Sequence, residues 1–471
     1  MENKNKTKDI LLQSIREGYN LPEAYFKVEV EKARSKKDII TVLNLEQLTG
    51  ARLKNFYVDT DPVRDADTIS SLQLLLANPL TPYTKCLFSG FSGSGKTTEL
   101  IKLFFEMQKR ANVIIFSAWN RLKLSDITFE SILFEILEDV FNFIYTNNLV
   151  DESDALLQDI KTKILKWCSE TLIISEENKT QCQSREKGVE FLKYIFFEAK
   201  SAKSTSTSNR YESTRIEEHK INDLIFECNK IFDYIRNKTG KETLIIIDDL
   251  EKVPFTKARD IYVQNSAYIR EFRCKMVLTI PVELIFHSDF AIIQNVFGDA
   301  EVLPMIKIKD KYGKPYKPGI ECLKEILERR IDLSLFQEKC YLDAITYSGG
   351  AIRELFRIIQ RAALIEKSAE ISTLSMQKSI SYHKDIFSSR IQEHNAEIKI
   401  KFEEYLEILF DIYNGNKIAP PKTPALLDLL RTRSVIKFNG EGFYDTHPLL
   451  DDFIKAYQEI AKKKGNGKPG E

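Results

Sequence analysis

Gly90-Phe91-Ser92-Gly93-Ser94-Gly95-Lys96-Thr97 follows the apolar run Lys85-Cys86-Leu87-Phe88-Ser89 and runs directly into Thr98-Glu99-Leu100-Ile101-Lys102-Leu103-Phe104. A Gly-rich turn therefore joins a strand to a helix, and the turn spells G-x-x-x-x-G-K-[ST], the pattern of a phosphate-binding loop. Its glycines let the backbone fold so that N–H groups point inward at an anion, and the helix N-terminus adds partial positive charge. Gly90, Phe91, Ser92, Gly93, Ser94, Gly95, Lys96, Thr97 and Thr98 are the expected nucleotide contacts. Lys96 supplies a point charge for the β- and γ-phosphates and Thr97 a hydroxyl for Mg²⁺.

A phosphate loop of this kind needs a second acidic strand to hold the metal. Leu244-Ile245-Ile246-Ile247-Asp248-Asp249 offers four apolar residues ending in two carboxylates. Asp248 is expected to take Mg²⁺ through water, because Mg²⁺ keeps much of its hydration shell. Asp249 is expected to stand where a general base or water-orienting carboxylate is wanted.

Further strands are predicted at 111–118, 275–280 and 301–308, with a short extended piece at 56–58. Continuous apolar runs separated by helices are what a parallel sheet covered on both faces requires. The prediction is an α/β fold: a P-loop NTPase three-layer sandwich with a parallel sheet, then a helical lid and a small winged-helix domain. The expected divisions are a helical arm over 1–50, a nucleotide-binding core over 51–310, a lid over 311–398, a winged helix over 399–458 and a basic flexible tail over 459–471. Within the core, 145–235 reads as a helical insertion, and its Ser/Thr-rich stretch 200–215 as a mobile loop. The winged helix rests on helices at 402–413 and 424–431, followed by Ser434 to Phe438, the turn Asn439-Gly440-Glu441-Gly442, and Phe443 to Thr446.

With 471 residues the chain is long enough for roughly two to four domains. Lys plus Arg (69) equals Asp plus Glu (69), so no global field draws the whole protein to nucleic acid or to an anionic membrane. Seven scattered cysteines without a CxxC spacing argue for free thiols in a reducing compartment. Met1 to Ile10 carry no apolar signal region, and no stretch approaches ~18 uncharged apolar residues. A cytoplasmic protein without a membrane anchor is expected.

Beyond these motifs, residues 51–455 resemble the AAA+ and STAND branches of the P-loop ATPases, including origin-recognition-like and KAP-like members. Ile247-Asp248-Asp249-Leu250-Glu251-Lys252 resembles the DDLD-type Walker B of STAND and KAP-like ATPases, not the Asp-Glu pair of the commonest AAA+ enzymes. The shorter Asp249 side chain implies slow turnover. The resemblance implies that the protein binds and hydrolyses ATP with Mg²⁺. It places Thr279 at the sensor 1 position; a buried strand residue before a turn is the other reading. Ser348-Gly349-Gly350-Ala351-Ile352-Arg353 is similar to a sensor 2 region, with Arg353 reaching the γ-phosphate from the lid; a solvated helix face is the alternative. Thr446-His447-Pro448 resembles the Met-His-Asp segment of NB-ARC-type switches, which implies that His447 contacts the β-phosphate of ADP; against this stands a histidine packed at the end of a wing. Arg64 falls where such ATPases approach adenine and ribose, or is a surface residue. No arginine finger is selected among Arg270, Arg273, Arg329 and Arg330.

Two functions are expected from this build. In the first, an ATP-controlled conformational or assembly switch works with a protein partner or effector, as a homo-oligomer or in bacterial antiphage defence. In the second, an initiator-type or transposition-helper ATPase contacts DNA through the winged helix. Zero net charge and Asp451-Asp452 beside the wing count against the second.

Overall fold

The computed structural model describes residues 9, 12–21, 31–44, 48–64, 67–149, 155, 159–160, 162–163, 213–391, 400–418, 420–438 and 442–465. Five strands, β1 (Lys85–Gly90), β2 (Asn112–Ser117), β3 (Thr243–Asp248), β4 (Lys275–Thr279) and β5 (Ala300–Leu303), form one parallel sheet in the order β2-β3-β4-β1-β5. Every residue of β1 to β4 is buried. Side-chain alternation divides these residues between two cores. Leu87, Ile245, Ile247 and Met276 face the helices Phe129–Thr146 and Ser213–Thr239, while Phe88, Ile115, Ile246 and Val277 face the helices Thr68–Ala77 and Lys96–Met107. The α/β three-layer reading holds.

The predicted strand over 301–308 stops at Leu303, because Pro304 offers no N–H to continue a ladder. The freed chain turns to the lid instead, where the Ile306 N–H donates to the Gly350 carbonyl at 3.3 Å. The extended piece expected at 56–58 begins one residue later: Gly50–Phe56 is a helix, and Phe56 closes it as a buried residue.

A third core joins the lid helices to the C-terminal helices Phe402–Tyr413 and Pro424–Arg431, and to a hairpin of β6 (Val435–Lys437) and β7 (Tyr444–Thr446). The antiparallel register pairs Ile436 with Asp445, as two strands around a tight turn require. Residues 439–441 of that turn lie outside the described residues.

Within the stretch expected to be a helical arm, the described residues pack on both bodies. Ile15, Tyr19 and Leu21 pack on the sheet, and Ala33, Ile39, Val42 and Leu43 pack with the lid. Gly18 permits the first contact, since a Cβ there would sit 2.2 Å from the Ile115 carbonyl oxygen of β2. At the other end the helix Asp451–Gly465 runs into the region read as tail. The loop expected at 200–215 falls outside the described residues up to 212; the helix Ser213–Thr239 begins after it and buries Ile221, Leu224, Cys228, Ile231 and Ile235 against the sheet.

Among the described residues no helix is long and apolar enough to cross a membrane. Cys86, Cys228, Cys274, Cys322 and Cys340 are unpaired and buried.

Candidate functional site

The loop after β1 needs backbone that only glycine adopts freely, and it has it. Gly90, Gly93 and Gly95 have φ of 151°, 86° and 106°. A Cβ on Gly90 would meet the Leu303 carbonyl oxygen at 2.5 Å, and one on Gly93 would meet Arg353 Cβ at 2.8 Å. The loop is therefore wedged between β5 and the lid helix Ile352–Ile365, with Lys96 opening the helix behind it.

Lys96 is buried and folded back. Its Nζ donates to the carbonyls of Gly90 (2.9 Å) and Phe91 (3.2 Å) and pairs with Glu251 Oε1 at 3.1 Å. At the end of β3, Asp248 is fully buried. Its Oδ2 accepts from Thr97 Oγ1 at 2.6 Å and from the Tyr19 hydroxyl at 3.2 Å, and its Oδ1 accepts from the Asp249 N–H at 2.7 Å. Burial, with Asp249 and Glu251 beside it, pushes the Asp248 carboxyl up to about 8. Oxygens of Asp248, Asp249 and Glu251 all lie within 4.8 Å of one another, the arrangement a dication would offset.

After Asp248 the chain reverses through Asp249, a non-glycine residue at φ 67°. The turn is fastened from β4: the Leu250 N–H donates to Thr279 Oγ1 at 2.9 Å, and that hydroxyl donates to the Ile247 carbonyl at 3.3 Å. Thr279 is fully buried and does not line the cavity described next, so as built it holds the acidic turn and does not reach into the site.

A cavity of about 450 Å³ opens above the loop. Its lining includes residues 92–99, Asp249, Glu251, Lys252 and Arg353, together with the apolar side chains of Leu48, Phe56, Val58, Ile352 and Phe356. Arg353 donates from Nη1 to Ser92 Oγ at 2.8 Å, and Arg433 donates to the Ser92 carbonyl at 3.2 Å and to Glu354 Oε2 at 2.7 Å. The lid and the C-terminal body thus grip the phosphate loop itself. Arg64 is also inside, 2% exposed, with Nη2 on the Ser94 carbonyl (2.6 Å), Nε on Thr60 (2.8 Å) and Nη1 on the Pro304 carbonyl. Arg330 is buried between the Phe56 and Phe356 rings, 5.1 and 5.2 Å from their centroids, which leaves it unable to serve a neighbouring molecule. Burial, with Arg329 beside it, lowers its guanidinium to about 9.

His447 sits elsewhere. It is fully buried, its ring tilted 31° against that of Phe387 with centroids 4.1 Å apart, and Gly349 lies against its Nε2. Burial, then the nearby Arg433, lowers its imidazole to about 3, so the ring is neutral. It is not among the cavity residues; its place is the seam between lid and hairpin.

The sequence reading missed Tyr19, Glu251 and Arg433 as members of the site. Gly18-Tyr19-Asn20-Leu21-Pro22 does carry a signal, since Gly, Asn and Pro so close together interrupt a helix and force the chain to turn. Arg433 carries none, because its contact with Ser92 joins residues 341 positions apart.

A parallel sheet with a glycine-rich anion loop on β1 and paired acids at the end of β3 is the fold of a P-loop NTPase. The model of the KAP family P-loop domain matches residues 68–263, which bears out the KAP-like part of the resemblance. Curated proteins give no match. Among solved structures, the chain is similar to the Walker-type ATPase PABY2304 of Pyrococcus abyssi, at 13% identity over 88% of this chain and 99% of that one, with a TM-score of 0.45. It is also similar to the ORC1 protein of Aeropyrum pernix in complex with DNA, at 11% identity over 92% and 100%, TM-score 0.40. The ORC2 protein of the same organism, in ADPNP–ADP complexes, follows at 12% identity over 83% and 94%, TM-score 0.35.

Asp248→Asn is expected to stabilise the ligand-free protein increasingly as pH rises from about 4 to about 8. An acid whose folded pKa lies above its unfolded value keeps a proton on folding, so its penalty to the folded state grows across that window and is constant above it. Melting curves of both proteins between pH 5 and 9, without nucleotide, measure this; parallel curves would mean that burial of Asp248 is not costly.

Proposed function

We propose that the protein binds Mg-ATP in this cavity, hydrolyses it, and uses the state of the nucleotide to set the position of its lid and C-terminal body. The phosphates lie along residues 90–98, with Lys96 turned from the loop carbonyls onto them. The base lies against the apolar lining residues Leu48 and Val58. Thr97 and Asp248 hold the metal: a hydroxyl and a carboxylate already 2.6 Å apart at one spot are the donor set Mg²⁺ takes when it keeps most of its water. Held there, the metal would supply positive charge to offset the negative charge of the phosphates. Two carboxylates at the end of the acidic strand, Asp249 and Glu251, line the cavity where the attacking water would stand.

The observation that carries the switch is the contact of Arg353 and Arg433 with Ser92. Both guanidiniums touch a residue of the phosphate loop, and Arg353 lines the cavity where a γ-phosphate extends. Arg353 that leaves Ser92 for the γ-phosphate pulls the lid helix with it, so ATP and ADP favour different closures. A protein partner would read that difference; His447, buried at the seam between lid and hairpin, moves with it and is not a phosphate ligand in this arrangement.

Wild-type protein is expected to bind ATP more tightly than ADP and to be more compact with a non-hydrolysable ATP analogue than with ADP. Arg353→Ala should cost ~10-fold in ATP affinity, little in ADP affinity, and erase the difference in shape. Calorimetry and small-angle scattering in the two nucleotides check this. Equal affinities and identical scattering for the wild type would sink the switch and leave a plain ATPase.

A further inference from the structure

The acid at the end of β3 that sequence spacing offers as base is already engaged on both sides. Asp249 Oδ2 accepts from Ser117 Oγ, and its Oδ1 pairs with Lys252 Nζ at 2.5 Å. Its left-handed backbone turns the following residues into a short 3₁₀ turn, Leu250–Lys252, which Thr279 fastens at Leu250 N. That turn delivers a third carboxylate, Glu251, to the phosphate loop. Its Oε1 stands 3.1 Å from Lys96 Nζ, and its Oε2 is buried with no hydrogen-bond partner. It lines the cavity and lies within 4.8 Å of the Asp248 carboxylate, itself on Thr97.

These two neighbours locate it. Lys96 marks the β- and γ-phosphates and Thr97 with Asp248 marks the metal, so a carboxylate adjoining both stands beside the γ-phosphorus. We infer that Glu251, not Asp249, is the catalytic residue that orients the attacking water and accepts its proton, while Asp249 is a positioning residue that sets the turn through Ser117 and Lys252. This rests on the reading of the cavity as an ATP site.

The contact with Lys96 gives the residue a second consequence. Without phosphates, Lys96 neutralises Glu251; when phosphates draw Lys96 away, the carboxylate is released next to the water it must activate. In the reaction, the water oxygen forms a bond to the γ-phosphorus and the bond from that phosphorus to the β–γ bridging oxygen breaks. ADP leaves with the electron pair, and the water proton passes to Glu251 and then to solvent or phosphate. Nothing beyond ATP and water is consumed.

Full-length wild type, Glu251→Gln, Glu251→Asp and Asp249→Asn are compared for Mg-ATP affinity at equilibrium and for single-turnover hydrolysis. Glu251→Gln is expected to hold ATP at least as tightly as wild type and to hydrolyse it ~100-fold or more slowly, with Glu251→Asp intermediate. Asp249→Asn should lose no more than ~10-fold. If Glu251→Gln turns over within ~3-fold of wild type, Glu251 is only the counter-ion of Lys96 and the inference is overturned. It is equally overturned if the variant loses Mg-dependent binding, which would make Glu251 a metal ligand, or if Asp249→Asn is the inactive form. Glu251→Asp keeps the charge that Lys96 pairs with, so loss of folding in Glu251→Gln alone does not obscure the outcome. Failure of the ATP-site reading shows separately, as a wild type that neither binds nor hydrolyses ATP.

Discussion

Lys96→Ala is expected to raise the dissociation constant for ATP by ~100-fold or more, a loss of roughly 3 kcal/mol, because a charge-assisted contact with two phosphates is removed at once. The structure adds a reason for the size of the effect. Lys96 is 4% exposed and compensates Glu251, whose carboxyl is kept below its ordinary range despite burial by Lys96 and then Lys252. Removing the ammonium takes away the nearest positive charge on that carboxylate as it faces the incoming phosphates, so like-charge repulsion is added to the lost attraction. Trp119, 59% exposed and at the cavity wall, provides the readout by fluorescence titration. An affinity within ~3-fold of wild type would place the phosphates elsewhere and remove the ground for the proposed function.

Much of this was legible in the chain because the signals are local. A strand, a glycine-rich turn and a helix over 85–107 are adjacent in sequence, and each glycine is explained by its own backbone. The acidic strand 243–249 is equally self-contained. What was not legible depends on distant partners. Tyr19 reaches Asp248 across 229 positions, and its segment packs on β2 only because Gly18 has no side chain. Arg64 has the spacing of a surface residue and is buried by three acceptors, two of them backbone carbonyls far along the chain. Thr279 ends β4, as the apolar run predicts, yet its hydroxyl turns toward the acidic turn, a direction that periodicity does not encode.

His447 illustrates the opposite failure, in which a short motif carries too much. Thr446-His447-Pro448 follows β7 as a resemblance would have it, but the imidazole is held by the Leu449 N–H, which donates to Nδ1 at 3.3 Å, and by the face of Phe387. A ring so enclosed reports the packing of lid on hairpin. The residue that connects the same hairpin region to the phosphate loop is Arg433, just before β6, held at φ 64° and 7% exposed.

Glu354→Ala is accordingly expected to destabilise the protein by ~3–5 kcal/mol, the cost of breaking a buried ion pair by removing one partner. Glu354 is 1% exposed and accepts from Arg433 at 2.7 Å; Arg357 stands 3.6 Å away. Burial would raise its carboxyl, but Arg433 and then Arg357 hold it below the ordinary range. Arg390 is close enough to feel the same charge, and burial, then the neighbouring Arg433, already lowers its guanidinium to about 10. Without Glu354, three arginines converge with no carboxylate between them, and Arg433 loses the partner that aims it at Ser92. A fall of several degrees in apparent melting temperature, read by calorimetry, should therefore come with a weaker response of the lid to ATP, read by limited proteolysis in ATP and in ADP. Unchanged melting would mean that the ion pair is not structural. Lower melting with an intact nucleotide response would mean that Arg353 alone couples lid to phosphate, because Arg433 would then have been dispensable to the movement while still necessary to the fold.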